Sequence, residues 1–185
     1  MASYLCADLH LGHRNIPKYR GYESLEQHDD LVCENWINTV RSNKRDTTYV
    51  LGDIAFSEEG WRRFDDLPGR KIVILGNHCT EYSNAAFIAS LKTVNSVHSM
   101  YKHKGCIMSH APLHPDHLRG KRNLHGHLHS HFVQDRRFFN CSLEQIDMRP
   151  IPMEEVFEEF ERRQSLLYVK RKLGIKAAVR AVMNG

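Results

Sequence analysis

The 185-residue sequence predicts an α/β fold of two packed sheets with helices outside, and three observations predict it. Apolar runs of strand length alternate with helix-period segments through the first ninety residues. The second half is strand-rich, which adds a second sheet to the first. Five of the apolar runs lead directly into motifs of Asp, Asn or His, a placement expected on the carboxyl rim of an open sheet.

The elements follow in order. Strand one covers about residues 3–8, and residues 9–22 read as a loop rich in His, Arg, Gly and Tyr. Ser24-Leu25-Glu26-Gln27 reads as a capping box. It opens a helix with Leu25, His28, Leu31, Val32, Asn35, Trp36 and Val40 on one face. Strand two ends at Asp53, and a short helix over 58–66 stops at Leu67-Pro68-Gly69. Strand three ends near Gly76, before a helix at about 83–92. Val94 to Tyr101 and Lys104 to Ser109 read as an adjacent strand pair. Ala111 to Arg122, with two prolines and a glycine, reads as a loop. Strands are expected near 123–129, at 132–134 and from Phe138 to Leu143. Pro150-Ile151-Pro152 then stops the sheet and a helix opens at Met153.

The length favours a single domain over 1–185, with a charged helical C-terminal segment from about 153. That segment is acidic first (Glu154, Glu155, Glu158, Glu159, Glu161) and basic later (Arg162, Arg163, Lys170, Arg171, Lys172, Lys176, Arg180), which complements a helix dipole. Two readings stand side by side: a solvated helix packing Val156, Phe157 and Phe160 on the sandwich, or a basic tail that contacts nucleic acid or a partner. The balance of 41% hydrophobic and 26% charged residues is that of a soluble globular domain. No apolar run approaches the ~20 residues of a membrane span, and no charged leader precedes strand one. A cytoplasmic protein without a membrane partner is therefore expected. The net charge of +4 is compatible with a nucleotide or nucleic-acid partner without demanding one. Oligomeric state is left open. None of the five cysteines forms a Cys-x-x-Cys pair, which argues against a zinc ribbon.

The chemistry concentrates in seven candidate metal ligands: Asp8, His10, Asp53, Asn77, His110, His127 and His129. All offer oxygen or imidazole nitrogen and none a thiolate. That suits manganese, iron, zinc, cobalt or nickel better than a soft metal, and the histidines argue against calcium or magnesium alone. Seven side chains exceed one tetrahedral ion and suit two ions sharing a bridge, for which the two oxygens of a carboxylate such as Asp53 serve.

The set Asp8-x-His10, Gly52-Asp53, Gly76-Asn77-His78, His110, Gly126-His127-x-His129 resembles the calcineurin-like metallophosphoesterase superfamily. The stretch from Asp8 to Asn15 resembles its compact, uncapped bacterial and phage branch. The resemblance implies a four-layer α/β/β/α sandwich and two divalent ions, manganese first and iron, nickel, cobalt or zinc as alternatives. It implies that Asp8, His10, Asp53 and His129 hold one ion, that Asp53, Asn77, His110 and His127 hold the other, and that Asp53 bridges. His78 is implied as a catalytic residue, a general acid toward the leaving group or a stabiliser of transition-state charge. Two departures matter. Cys79 stands where many members carry an acidic residue, which puts an orienting partner for His78 in doubt. Ile54-Ala55-Phe56 after Gly52-Asp53 argues against a protein phosphatase.

His13 and Arg14, in the loop after the first motif, are candidate phosphate contacts, and Asn77 is a further candidate substrate contact. On a strand His125 and His131 would share one face with His127 and His129; they are read as supporting or surface residues. His114 and His117 read as a solvent loop, with the substrate mouth as the alternative. The expected function is a dinuclear-metal-dependent phosphoesterase cleaving a nucleotide-like or small phosphodiester through a metal-bridging hydroxide. The alternatives are a phosphomonoesterase on nucleotides or small metabolites, a nuclease that uses the basic C-terminus, and a non-catalytic scaffold.

Overall fold

The computed structural model describes residues 2–41, 45–81 and 83–165; of the basic second half of the C-terminal segment, Arg162 and Arg163 lie within them and Lys170 onward lies outside. Strands β1 (Ser3–Cys6), β2 (Thr47–Leu51), β3 (Arg70–Ile74) and β4 (Val94–His98) run parallel in one sheet. Its order is β4-β3-β2-β1-β9, and β9 (Ile151–Pro152) pairs antiparallel with β1. The second sheet is β5 (Tyr101–His103), β6 (Cys106–Met108), β7 (Arg122–His125) and β8 (Phe138–Asn140), in that order. Its first pair is antiparallel and the other two are parallel. Helices α1 (Ile16–Arg20), α2 (Leu25–Thr39), α3 (Glu58–Asp66) and α4 (Ala85–Ser90) follow strands of the first sheet or the loops after them. A fifth, α5, begins at 153 and continues to 165. Two mixed sheets flanked by helices form an α/β/β/α sandwich, as the sequence predicts. Among the described residues, no helix is long and apolar enough to cross a membrane.

Contacts identify the layers. Tyr49 of β2 meets Tyr101 and His103 of β5, with ring centroids 5.7 and 5.5 Å apart, so the sheets face each other there. On the opposite face Lys71 of β3 lies against Trp36 of α2 and Phe64 of α3. Lys71 is fully buried; its Nζ donates to Leu67 O and Thr93 Oγ1, each at 2.7 Å. Burial pushes its ammonium down to about 7. The far face of the second sheet is covered more thinly, by Leu118 of a 3-10 turn (Pro115–Leu118) packed with Ile107 and Phe138. α5 sets Met153, Val156 and Phe160 into the main core, with Phe160 6.1 Å from Phe139, in agreement with the packing reading.

The predicted α2 and α3 form with side-chain caps: Ser24 accepts from Gln27 N and Ser57 from Gly60 N. Several local expectations are corrected. Residues 9–22 are not all loop, because Pro17 in the first turn and a left-handed Gly21 at the C-cap bound a short helix, α1. Val94 to Tyr101 is not one strand. A bend at 99–100 leaves β4 on β3, where Leu75 N–H donates to His98 O, and sends Tyr101 to pair with Met108 in the other sheet. Pro150 to Pro152 does not stop the sheet; Ile151 and Pro152 form the edge strand β9, where a missing N–H is tolerated.

The strand expected over 123–129 ends at His125, and 132–134 is not a strand. His127 and His129 take left-handed backbone, at φ 70° and 50°, which an extended strand forbids. The four histidines from 125 to 131 therefore do not share one strand face. His125 is fully buried and His131 is exposed.

Candidate metal centre

The carboxyl ends of β1, β2, β3, β6 and β7 each release a motif loop. Beyond the strands, the first two loops stay zipped together by backbone bonds. Asp8 N donates to Gly52 O, His10 N to Asp53 O and Leu11 N to Ile54 O, at 2.9–3.1 Å. Asp8, His10, Asp53, His127 and His129 all have φ between 49° and 70°. Non-glycine residues adopt this region at a cost that surrounding structure must offset, and such strain clusters at functional sites. Here five of the seven candidate ligands carry it. Close packing also explains motif glycines. A Cβ on Gly52, whose φ is 91°, would lie 2.4 Å from His110 Nδ1, and one on Gly126 would lie 2.6 Å from Asp8 Oδ2.

Six of the seven candidates converge in two groups, Asp8-His10-His129 and Asp53-His110-His127, with the donor atoms of each group within 4.8 Å of one another. Either group can hold a metal ion. In the second, His110 Nε2 lies 3.2 Å from Asp53 Oδ2, 2.9 Å from Asn77 Oδ1 and 3.1 Å from His127 Nδ1. Its Nδ1 lies 2.8 Å from Leu51 O, so in the neutral ring Nδ1 carries the hydrogen and Nε2 is a lone pair. At least three acceptors, Asp53 Oδ2, Asn77 Oδ1 and His110 Nε2, then face one another, an arrangement that a cation resolves. Ligands about 2.0–2.2 Å from an ion and at right angles to each other stand about 3 Å apart, which matches these separations.

The first group fits by a different sign. Asp8 Oδ1 and both ring nitrogens of His10 are buried without a hydrogen-bond partner among the described residues. Buried polar atoms are rarely left so. The other Asp8 oxygen is saturated, accepting from His127 N at 2.8 Å and from Ser142 Oγ at 2.7 Å. One oxygen fixes the carboxylate and the other faces His10 at 3.8 Å.

The electrostatics agree. Burial pushes the Asp8 carboxyl up, but His10, His110 and the Ser142 hydroxyl outweigh it and hold it below the ordinary range. Asp53 is lowered too, burial being overcome by His110 and the His78 N–H. Burial lowers His10 and favours the neutral ring that a metal requires. His110 is raised, because Asp53 outweighs the burial that would lower it. His129 is raised mainly by its hydrogen bond to Glu144. A bound cation competes with these protons.

His78 is half-exposed and joins neither group. Its backbone N–H donates to Asp53 Oδ1 at 3.0 Å, tying the loop to the second group. Its Nδ1 lies 2.9 Å from Glu81 Oε1, so a carboxylate three residues on stands where Cys79 cannot serve. Cys79 is buried beneath the loop, its sulfur accepting from Gly76 N. The Phe56 ring packs against His10, His13 and His78, at 4.9, 4.5 and 5.4 Å. His13, Arg14 and Asn15 line a cavity of about 440 Å³ with Phe56 and Ser57. Arg14 is exposed and makes no ion pair or hydrogen bond among the described residues. His114 and His117 sit on the 3-10 turn, outside both groups.

Four residues that the motifs do not reveal complete the site. Glu144 Oε1 lies 2.8 Å from His129 Nδ1 and also accepts from Arg20 Nε at 2.8 Å. His129 and Arg20 outweigh the burial of Glu144 and bring its carboxyl down to about 2. Arg20, almost wholly buried, also donates to Asp8 O at 2.6 Å and Leu9 O at 3.3 Å. Its Nη1 lies 2.8 Å from His28 Nε2, and His28 Nδ1 lies 2.7 Å from Asp29 Oδ1. Asp29 Oδ2 accepts from Gly12 N at 2.9 Å, closing the network on the first motif loop. The one signal in sequence was the buried-face position of His28.

No family model matches the chain. It is 36% identical to the Gene 66 protein of Mycobacterium phage L5 over 84 residues, 41% of this chain and 39% of that protein. It is 29% identical to the Gene 66 protein of Mycobacterium phage D29, across 71% of this chain and 80% of that one. An uncharacterized protein of Methanocaldococcus jannaschii, MJ1445, is 25% identical across 86% and 91% of the two chains. Among solved structures, a protein of unknown function from Aquifex aeolicus, AQ665, superposes with a TM-score of 0.66 over 85% of this chain and 98% of its own, at 22% identity. At that identity the likeness speaks for the fold alone.

Proposed function

We propose that this chain is a divalent-metal-dependent phosphoesterase of the calcineurin-like metallophosphoesterase type, acting on a phosphodiester. The observation that carries the reading is the convergence of two Asp/His groups at strand ends, with unpartnered lone pairs, beside a half-exposed histidine. Two divalent ions supply an activated water near neutral pH and charge neutralisation on the phosphoryl oxygens. Asp8, His10 and His129 would hold one ion and Asp53, Asn77, His110 and His127 the other, with Asp53 the candidate bridge to the first. Manganese is the first choice, with iron, nickel, cobalt and zinc as alternatives, since imidazole and carboxylate suit them all.

The remaining residues orient substrate and move a proton. Asp53 holds the His78 backbone, and Glu81 Oε1 stands 2.9 Å from the ring Nδ1, which leaves Nε2 to protonate the departing oxygen or to stabilise charge on it. His13, Arg14 and Asn77 contact the phosphoryl group or its ester arm; a guanidinium with no ion pair or hydrogen bond among the described residues suits a phosphate oxygen. The cavity beside them has room for a second ester arm, which favours a diester over a monoester.

The test is hydrolysis of mono- and bis-nitrophenyl phosphate by metal-stripped protein, with each metal restored in turn. Metal-dependent turnover with the bis-ester preferred supports the proposal, and preference for the mono-ester makes the enzyme a monoesterase. Binding of ions with no turnover of any ester, including nucleotides, would place it among scaffolds. Single-stranded nucleic acid cleaved with a steep loss of affinity in salt would make it a nuclease.

A further inference from the structure

One carboxylate outside the candidate ligand set acts on it. Glu144 follows β8 on a short 3-10 turn (Leu143–Gln145) and reaches His129 Nδ1 at 2.8 Å. The same oxygen accepts from Arg20 Nε. Arg20 in turn donates to the main-chain oxygen of Asp8. A single guanidinium thus grips the backbone of the first candidate ligand and, through Glu144, the ring of the last. Both residues sit in left-handed backbone that needs external support. Among the described residues the second group has no such device. His110 leans on a main-chain carbonyl, Leu51 O, which is a neutral acceptor.

We propose that Arg20 and Glu144 are positioning residues that make the two half-sites unequal, raising metal affinity in the Asp8-His10-His129 group and leaving the Asp53-His110-His127 group unaffected. The physical cause is twofold. A carboxylate on Nδ1 fixes the ring's orientation and leaves Nε2 free for a cation, to which it makes Nε2 a better donor. Arg20 holds that carboxylate so that it does not itself swing into the site. The inference rests on the two-ion reading above and concerns which residues tune it.

The experiment is calorimetric titration of Mn²⁺ into metal-stripped wild type, Glu144→Gln and Glu144→Asp, with a thermal melt of each in chelator. In Glu144→Gln one of two binding phases is expected to weaken about 10–100-fold and the other to stay. Glu144→Asp, which keeps the charge, is expected to fall between. Zinc occupancy in crystals of Glu144→Gln, read by anomalous scattering, is expected to drop at the Asp8 group alone. Unchanged affinity in both phases overturns the proposal. So does equal weakening of both phases with a lowered melting point, which would mark Glu144 as a fold residue only. Failure of the wild type to bind any ion overturns the two-ion reading itself, and the proposal with it.

Discussion

His127 donates its backbone N–H to Asp8 Oδ2 at 2.8 Å, across 119 positions of sequence. The bond joins the two candidate groups, because the donor belongs to the second and the acceptor to the first. It also explains Gly126. A side chain there would meet Asp8 Oδ2 at 2.6 Å and the Ala7 methyl at 2.4 Å.

Gly126→Ala should therefore separate the loop from β1 without unfolding the sandwich. The expected outcome is loss of at least one of two bound ions, with the far-ultraviolet dichroism retained. Metal analysis after dialysis checks it, and retention of two ions would contradict the packing argument.

Asp53→Asn should impair both ions. The amide keeps an oxygen to accept from His78 N, so the loop stays anchored, but the shared negative charge is lost. Stoichiometry from metal analysis decides it; an intact pair of ions would refute the bridge.

His78→Ala should leave both ions in place and slow cleavage of esters with poor leaving groups by about 10²–10⁴-fold. Good leaving groups such as nitrophenolate should suffer less. Equal slowing of both would assign charge stabilisation instead of proton donation. Glu81→Gln, which removes the negative charge beside Nδ1, should show the same pattern more weakly.

Lys71 gives the metal-free protein a pH signature. Its folded pKa, about 7, lies below the unfolded value near 10.5, so the unfolded chain binds more protons between those values. Stability is therefore expected to rise with pH from about 7 toward 10.5, and the cost of a buried charge is fully present below 7. Lys71→Met should flatten that rise and stabilise the protein at pH 6. Denaturant unfolding across pH in the presence of chelator reads it, and an unchanged slope would refute the assignment.

The candidate ligands and much of the first sheet were legible in sequence because both rest on local patterns. Apolar runs of strand length gave β1, β2 and β3, and a capping box gave the start of α2. The polar residues after each run are adjacent in sequence to the strand that carries them. The failures came where backbone geometry overrides side-chain pattern. His125 to His131 alternates like a strand, yet left-handed residues turn it aside. Val94 to Tyr101 is continuous in composition, yet partner strands in two sheets divide it.

The sequence by itself determined which side chains can bind metal and that they stand at strand ends. Only the tertiary structure decided how they divide into groups and what supports them. Arg20 and Glu144 lie 124 positions apart and carry no motif, so nothing local marks them. Their pairing exists because the turn after β8 comes to rest beside the loop after β1, joined by the bridge between Ala7 and Ser142. A charge buried there needs a partner, and the fold supplies it from the other end of the chain.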